Sequence, residues 1–194
     1  MPSTGPEVVL IRHGETEWSA ARKHTGSTDV PLTEAGCREA KALATPLRGR
    51  EFVRVLTSPS SRAVETCRIA GLGDRAEIRD ELREWDYGEY EGLTTAEIRE
   101  RRPGWFLWRD GCPGGEEARD VGARLDTVVA ELARLDGDAA VFAHGHSLRV
   151  LAARWIELAA DRGARLVLST ATVSVLGWER ETRALLLWNA PARG

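Results

Sequence analysis

Cysteine is scarce and scattered: Cys37, Cys67 and Cys112 are the only three in 194 residues. An odd number at such wide spacing fits neither a disulfide framework nor a structural zinc site, and it suggests a reducing, cytoplasmic setting. Long apolar runs are missing too. None approaches the roughly twenty residues that cross a bilayer, so no membrane partner is expected. Met1 to Pro6 lacks the basic and apolar regions of a signal peptide, so export is not expected either. There is no excess of positive charge: the net charge of −3 excludes the electrostatic footprint of a dedicated nucleic-acid binder. Lysine is nearly absent. Only Lys23 and Lys41 appear among 27 basic residues, which leaves 25 arginines. An arginine-favouring genome accounts for most of them, so an individual arginine counts only where its neighbours single it out. What remains is ordinary for a folded chain, 42% hydrophobic and 29% charged, at a length typical of one domain.

The order of elements then points to a fold class. Residues 7–11 read as a short apolar strand running into Arg12-His13-Gly14. Thr33 can cap a helix whose buried stripe is Ala40, Leu43, Ala44 and Leu47. Residues 52–56 read as a second strand, ended by Thr57-Ser58-Pro59, and residues 60–70 as a helix. Residues 82–117 look irregular and hold Trp85, Tyr87, Trp105 and Trp108. Val121, Leu125, Val128, Val129, Leu132 and Leu135 mark an amphipathic helix. Residues 139–143 are a small buried strand and residues 147–160 another helix. Residues 172–178 and 184–188 flank a polar Glu-Arg-Glu-Thr turn, the pattern of a hairpin. Strands alternating with helices imply an α/β fold: a three-layer α/β/α sandwich around a mostly parallel sheet. With no repeat, low-complexity stretch or linker, residues 1–194 read as a single domain.

In such a sheet, ligands bind beyond the carboxyl ends of the strands. Three polar clusters fall there: Arg12-His13-Gly14-Glu15, residues 58–62, and His144-Gly145-His146. A neutral imidazole is a nucleophile near pH 7, and the guanidinium beside His13 disfavours imidazolium while attracting an anion. Taken alone, His13 reads first as a strand-end histidine satisfied by local hydrogen bonds. His144-x-His146 could hold a metal from a loop, but no third ligand at suitable spacing supports one. His24 reads as polar surface or the rim of a pocket. Arg62 and Arg149 each open a helix, where guanidinium and helix N-terminus can act together on an anion, or they are surface arginines. Glu84, beside Trp85, is either a proton-transfer carboxyl or one more solvated glutamate. Pattern and spacing reach an anion-binding α/β enzyme and stop there.

Taken together and in order, these segments resemble the histidine phosphatase superfamily, which includes the cofactor-dependent phosphoglycerate mutases. The matching blocks are residues 10–16 (Leu-Ile-Arg-His-Gly-Glu-Thr), Thr25-Gly26 with residues 29–36, residues 58–66, the Glu-x-x-x-Gly stretch from Glu84 to Gly88, and residues 144–149. A lone Arg-His-Gly is weak, whereas five ordered blocks over residues 8–150 are specific. The resemblance implies that His13 carries a phosphohistidine, that Arg12, Arg62 and His144 hold the transferring phosphoryl oxygens, and that Glu84 moves the proton. It implies that Thr25, Gly26, Ser58, Tyr87, Gly145 and Arg149 bind substrate, that a segment at about residues 86–118 forms a cap, and that no metal or other cofactor is needed. The partner is then a small phosphate ester. A homodimer stays open.

Within that family the resemblance favours a phosphatase over a mutase. Where the mutases place a histidine, a lysine and paired arginines, this chain has Asp86, Thr94 or Thr95, and Arg109-Asp110, and Ser19 replaces an asparagine. Asp86 and Asp110 would repel an anion if they faced the pocket. Residues 82–92, 108–112 and 142–146 resemble the sedoheptulose-bisphosphatase and acid-phosphatase branch. The expectation is hydrolysis of sugar phosphates or bisphosphates, with a mutase as first alternative and a catalytically inactive binding protein as second. The tryptophans are expected to pack the core of the cap.

Overall fold

A computed structural model describes residues 5–192, so the expectation drawn from Met1 to Pro6 lies largely outside the described residues. The chain runs β1 (Val8–Arg12), α1 (Glu17–Ala20), α2 (Glu34–Ala42), α3 (Ala44–Leu47), β2 (Arg54–Thr57), α4 (Ser61–Ile69) and β3 (Ala76–Ile78). It continues through α5 (Thr95–Arg101), α6 (Leu107–Asp110), α7 (Ala118–Leu132), β4 (Ala139–Ala143) and α8 (Gly145–Trp155), and the hairpin β5 (Thr172–Glu179) and β6 (Thr182–Pro191) follows. The sheet order is β3-β2-β4-β1-β5-β6, with β3, β2, β4 and β1 mutually parallel and β5 and β6 antiparallel.

Val-Val-Leu-Ile-Arg and Ala-Ala-Val-Phe-Ala carry no polar alternation, as strands covered on both faces require. Successive residues feed opposite layers. Val8, Leu10, Ala139 and Val141 pack with the α7 and α8 side, whereas Val9, Ile11, Ala140 and Phe142 pack with Leu43, Leu47, Phe52 and Cys67. That division is the three-layer α/β/α sandwich. Among the described residues no helix is long and apolar enough to cross a membrane.

Several boundaries differ from expectation. Thr33 does cap α2, its Oγ1 accepting from Gly36 N at 3.0 Å, but the Ala40–Leu47 stripe is split at Leu43. Pro46 has no N–H with which to continue an α-helical ladder, so a short separate turn follows. The helix expected over residues 147–160 instead starts at Gly145 and ends at Trp155, because Glu157 adopts a left-handed φ of 62°. Residues 82–117 are not irregular throughout. Thr94 and Glu97 close a reciprocal capping box on α5, with Glu97 Oε2 accepting from Thr94 N at 2.7 Å. Thr-x-x-Glu was a readable signal, but α5 buries only Ile98, too little to show a period.

Candidate active site

The site grows out of the sheet register. Arg12 aligns with Ala143, and Thr57 with Phe142, so β1, β4 and β2 end level with one another. The next residues, His13, His144 and Ser58, therefore emerge side by side. His13 N donates to Ala143 O at 3.1 Å and Ser58 N to Phe142 O at 2.9 Å. The loop after His13 is pressed against α2: a Cβ on Gly36 would stand 2.1 Å from the Glu15 carbonyl oxygen, and one on Gly14 would stand 2.4 Å from that of Gly36. Only glycine at both positions permits this approach. Gly14 N then donates to Thr66 Oγ1 at 3.1 Å, tying the loop to α4.

His13 is buried, with 5% of its surface exposed, and its Nδ1 lies 2.7 Å from Gly14 O. A carbonyl only accepts, so Nδ1 carries the proton and Nε2 keeps its lone pair. Burial first, then the Arg12 and Arg62 guanidinium groups, holds its pKa well below the usual histidine range, so the ring is neutral. His144, whose ring centroid is 5.2 Å from that of His13, is neutral for the same leading reason. Arg62 Nε donates to its Nδ1 at 3.3 Å, so Nε2 carries the proton and donates to Ser58 Oγ at 2.6 Å.

Arg62 is fully buried, and its fork is held by carbonyls. Nη1 donates to Thr28 O at 3.1 Å, and Nη2 donates to Thr25 O at 3.2 Å and Gly26 O at 3.1 Å. Arg12 is tied to Leu168 O through Nη1 at 2.5 Å, while its Nε is buried with no partner among the described residues. Buried guanidinium N–H groups are nearly always paired, so this donor stands out at the strand ends. Gly145 accommodates this guanidinium: a Cβ there would stand 3.2 Å from Arg12 Cζ.

Glu84 is also buried, and it sits on the N-terminus of α8. Its Oε1 accepts from Ser147 N at 2.8 Å and Trp85 N at 2.9 Å, and Oε2 accepts from His146 N at 3.0 Å. The first turn of a helix offers unpaired N–H groups and a partial positive charge, which explains the seat. Behind it, Arg124 of α7 donates to Arg83 O at 2.9 Å and Glu84 O at 3.1 Å and pairs with Glu116 at 2.8 Å.

A cavity of about 350 Å³ opens over these groups. Of the residues expected at the site, Arg12, His13, Thr25, Glu84, Tyr87, Gly145 and Arg149 line it. Arg62, His144 and Ser58 stand behind them in the bonds described above. Gly26 faces the adjoining cavity, which shares Glu84, and its N–H donates to the Glu91 carboxylate at 2.9 Å. Tyr87 OH bonds His146 Nδ1 at 2.6 Å. Arg149 donates to Gly163 O and Ala164 O, both at 3.0 Å, with its guanidinium 4.6 Å from the Trp108 ring centroid.

Residues 8–191 match the histidine phosphatase superfamily (branch 1). The chain is 41% identical over 183 residues to an acid phosphatase of Mycobacterium tuberculosis, covering 92% of this chain and 89% of that one. It is 39% identical to sedoheptulose 1,7-bisphosphatase of Saccharomyces cerevisiae, over 84% of this chain and 72% of the relative. It is also 39% identical to a 2,3-bisphosphoglycerate-dependent phosphoglycerate mutase of Mesorhizobium japonicum, over 74% and 78%. A solved structure of an open reading frame from Mycobacterium tuberculosis superposes with a TM-score of 0.91 at 37% identity, covering 97% of this chain and 99% of that one. The chain belongs to the histidine phosphatase superfamily.

In this histidine phosphatase the geometry decides four points that the sequence left open. Asp110 does not line the main cavity. Its carboxylate pairs with Arg109 at 2.7 Å and accepts from Phe106 N at 2.8 Å, within and just before α6. Asp86 lines the adjoining cavity instead, while Thr95 lines the main one and Thr94 caps α5. His24 is not surface. It packs 4.7 Å from Tyr87 and 5.6 Å from Trp105, centroid to centroid, and burial pulls its pKa down to about 4. His144 and His146 turn to different partners, Ser58 with Arg62 and Tyr87 respectively, so they do not share a ligand position. Arg22, Lys23 and Arg124 were missed, and His146 was legible only within the His144-Gly145-His146 cluster. The adjacent Arg22-Lys23 pair before Thr25-Gly26 was a usable signal in so lysine-poor a chain; nothing local marked Arg124. Trp85 and Trp105 are packed in the core, as expected, each with its indole N–H donating 2.9 Å to a backbone carbonyl.

Proposed function

We propose that this chain is a phosphatase that hydrolyses small phosphomonoesters, sugar phosphates or bisphosphates foremost, through a phosphohistidine at His13. The observation that carries the reading is the state of His13: neutral, its proton held on Nδ1 by Gly14 O, in a cavity also lined by Arg12, whose buried Nε has no partner among the described residues. In the first step Nε2 forms a bond to phosphorus as the ester P–O bond breaks, and Glu84 gives its proton to the leaving oxygen. In the second, water attacks phosphorus, Glu84 takes a proton from it, and the P–N bond breaks to regenerate His13. Arg12, Arg62 and His144 hold the phosphoryl oxygens as charge spreads over them, His144 by turning to them the Nε2–H that otherwise goes to Ser58 Oγ. The guanidinium groups supply the charge that a metal would otherwise bring, so no cofactor is needed. Ser58 acts through His144, and Thr25, Gly26, Tyr87, Gly145 and Arg149 serve the ester side. Residues 1–194 form one catalytic domain with residues 86–118 as its cap. The free cysteines fit a reducing compartment, the cytoplasm.

The test is a phosphate-release screen over sugar phosphates, bisphosphates and phosphoglycerates, with quenching at neutral pH to trap the intermediate. Phosphate is expected on the peptide containing His13 and is expected to vanish in His13→Ala. Chelators are expected to leave the rate unchanged and vanadate to inhibit. Phosphate on serine or cysteine, or activity lost on chelation and restored by a divalent ion, would overturn the mechanism. A mutase is the second reading, favoured by Arg22, Lys23 and Arg149 around one cavity, where a second anionic group would find cations. The ratio of phosphate release to bisphosphoglycerate-stimulated isomerisation on one preparation decides, and release is expected to dominate. An inactive binding protein would release no phosphate at all.

A further inference from the structure

His146 belongs to none of the phosphoryl contacts, yet it is placed where the rest of a substrate must lie. It follows His144 by two residues at the start of α8 and is half-buried, and it lines both the main cavity and a smaller one of about 160 Å³ that opens behind it. That second space is walled by Trp105, Trp108, His24 and Thr95. The ring is wedged among aromatic neighbours, 5.4 Å from Trp108, 6.1 Å from Trp85 and 6.2 Å from His24, centroid to centroid. Its backbone N–H is already committed to Glu84 Oε2. That bond fixes the backbone here, and the ring itself is held by the Tyr87 hydroxyl and its aromatic neighbours.

The protonation pattern of the ring follows from its one hydrogen bond. Nδ1 and the Tyr87 hydroxyl are 2.6 Å apart. A phenol is a far stronger hydrogen-bond acid than a neutral imidazole N–H, and an imidazole nitrogen is the stronger acceptor, so the hydroxyl donates to Nδ1. The ring is kept neutral by burial first and then by Arg149. The single ring proton is thus on Nε2, which has no hydrogen-bond partner among the described residues. A fixed N–H donor in an aromatic-walled recess next to the proton donor suits a hydroxyl oxygen on a leaving alcohol.

We propose that His146 is a specificity-determining residue, its Nε2–H donating to a hydroxyl of a polyhydroxylated leaving group and so favouring phosphorylated sugars over esters that lack hydroxyls. The proposal rests on the phosphatase reading. Tyr87 is then a positioning residue, since it fixes which nitrogen presents the proton.

The experiment compares kcat/KM for a sugar phosphate with that for phenyl phosphate in wild type, His146→Phe, His146→Gln and Tyr87→Phe. In His146→Phe the ratio of the two is expected to fall about tenfold, chiefly through KM for the sugar phosphate, as the loss of one neutral hydrogen bond predicts. His146→Gln keeps an N–H donor near the same place and should restore much of the ratio. Tyr87→Phe frees the ring proton to move and should lower the ratio part-way, which also serves if His146→Phe does not fold. An unchanged ratio in His146→Phe, or equal losses on both substrates in His146→Phe and Tyr87→Phe alike, overturns the proposal while leaving the phosphatase reading intact. A wild type that releases phosphate from neither ester overturns that reading and this proposal with it.

Discussion

Arg62 shows how a single side chain can be structural and chemical at once. Its guanidinium satisfies three backbone carbonyls in residues 25–28 and orients His144, all from a fully buried position. A buried charge survives only where its donors are met, and the planar fork meets four acceptors that a lysine ammonium cannot reach together. Arg62→Lys is expected to lower kcat/KM about 10²–10³-fold, the usual cost of losing one preorganised transition-state donor. Steady-state phosphate release checks this. A loss of less than about tenfold would mean that Arg62 braces the 25–28 loop and does not act on the phosphoryl group.

Among the elements, α2 is the one packed against the loop that carries His13, the proposed nucleophile. Its first turn lies against the loop after His13, and Gly36 makes that approach possible. Gly36→Ala would force a methyl into the Glu15 carbonyl. Backbone cannot yield as a side-chain tip can, so the loop or the helix must move. Overpacking of this kind costs about 1–3 kcal/mol. At about 2–4 °C per kcal/mol for a chain of this size, the melting temperature is expected to drop by several degrees. Activity should fall by more than that stability loss explains, because the displaced loop carries His13. Scanning calorimetry and kcat on the same preparation separate the two effects. A variant that melts and turns over like wild type would contradict the packing described. Helix α8 has the complementary role: its N-terminus seats Glu84, and its first residues carry the His144 and His146 rings.

At the scale of the whole molecule, all four histidines are kept uncharged by burial. The pKa of His24 is pulled down to about 4, and those of His13, His144 and His146 lie well below the ordinary 6.5. In the unfolded chain each titrates near 6.5. Below that pH the unfolded state binds protons that the native state refuses, so stability falls as pH drops from about 6.5 towards 4 and is unaffected by these groups above 6.5. Each contributes at most about 1.4 kcal/mol per pH unit, less for the half-buried His24. The expected outcome is a melting temperature flat from pH 8 to 7 and falling steeply from 6 to 5. A flat profile through pH 5 would mean that the rings are already charged.

The sequence by itself determined the family, because its five ordered blocks match the histidine phosphatase superfamily over residues 8–191. His13, Arg12, Arg62, Glu84 and His144 were legible as candidates because they stand in those blocks, several of them at strand ends that follow from short apolar runs. The parallel core was legible for the same reason: Ala139–Ala143 has no polar residue and can only be buried on both faces. Only the tertiary structure decided which residues surround the substrate. His146 read as half of a weak metal pattern until Tyr87, 59 positions away, was seen to occupy its Nδ1. Whether Asp110 faced the pocket was open in the sequence until its pairing with Arg109 placed it off the main cavity, and Arg124 acquired partners at Glu84 only because α7 passes there. Local sequence carries the propensities of the backbone and the identity of reactive groups. The direction in which a side chain points in a short, weakly periodic segment is set by packing partners far along the chain, which no window of neighbouring residues contains.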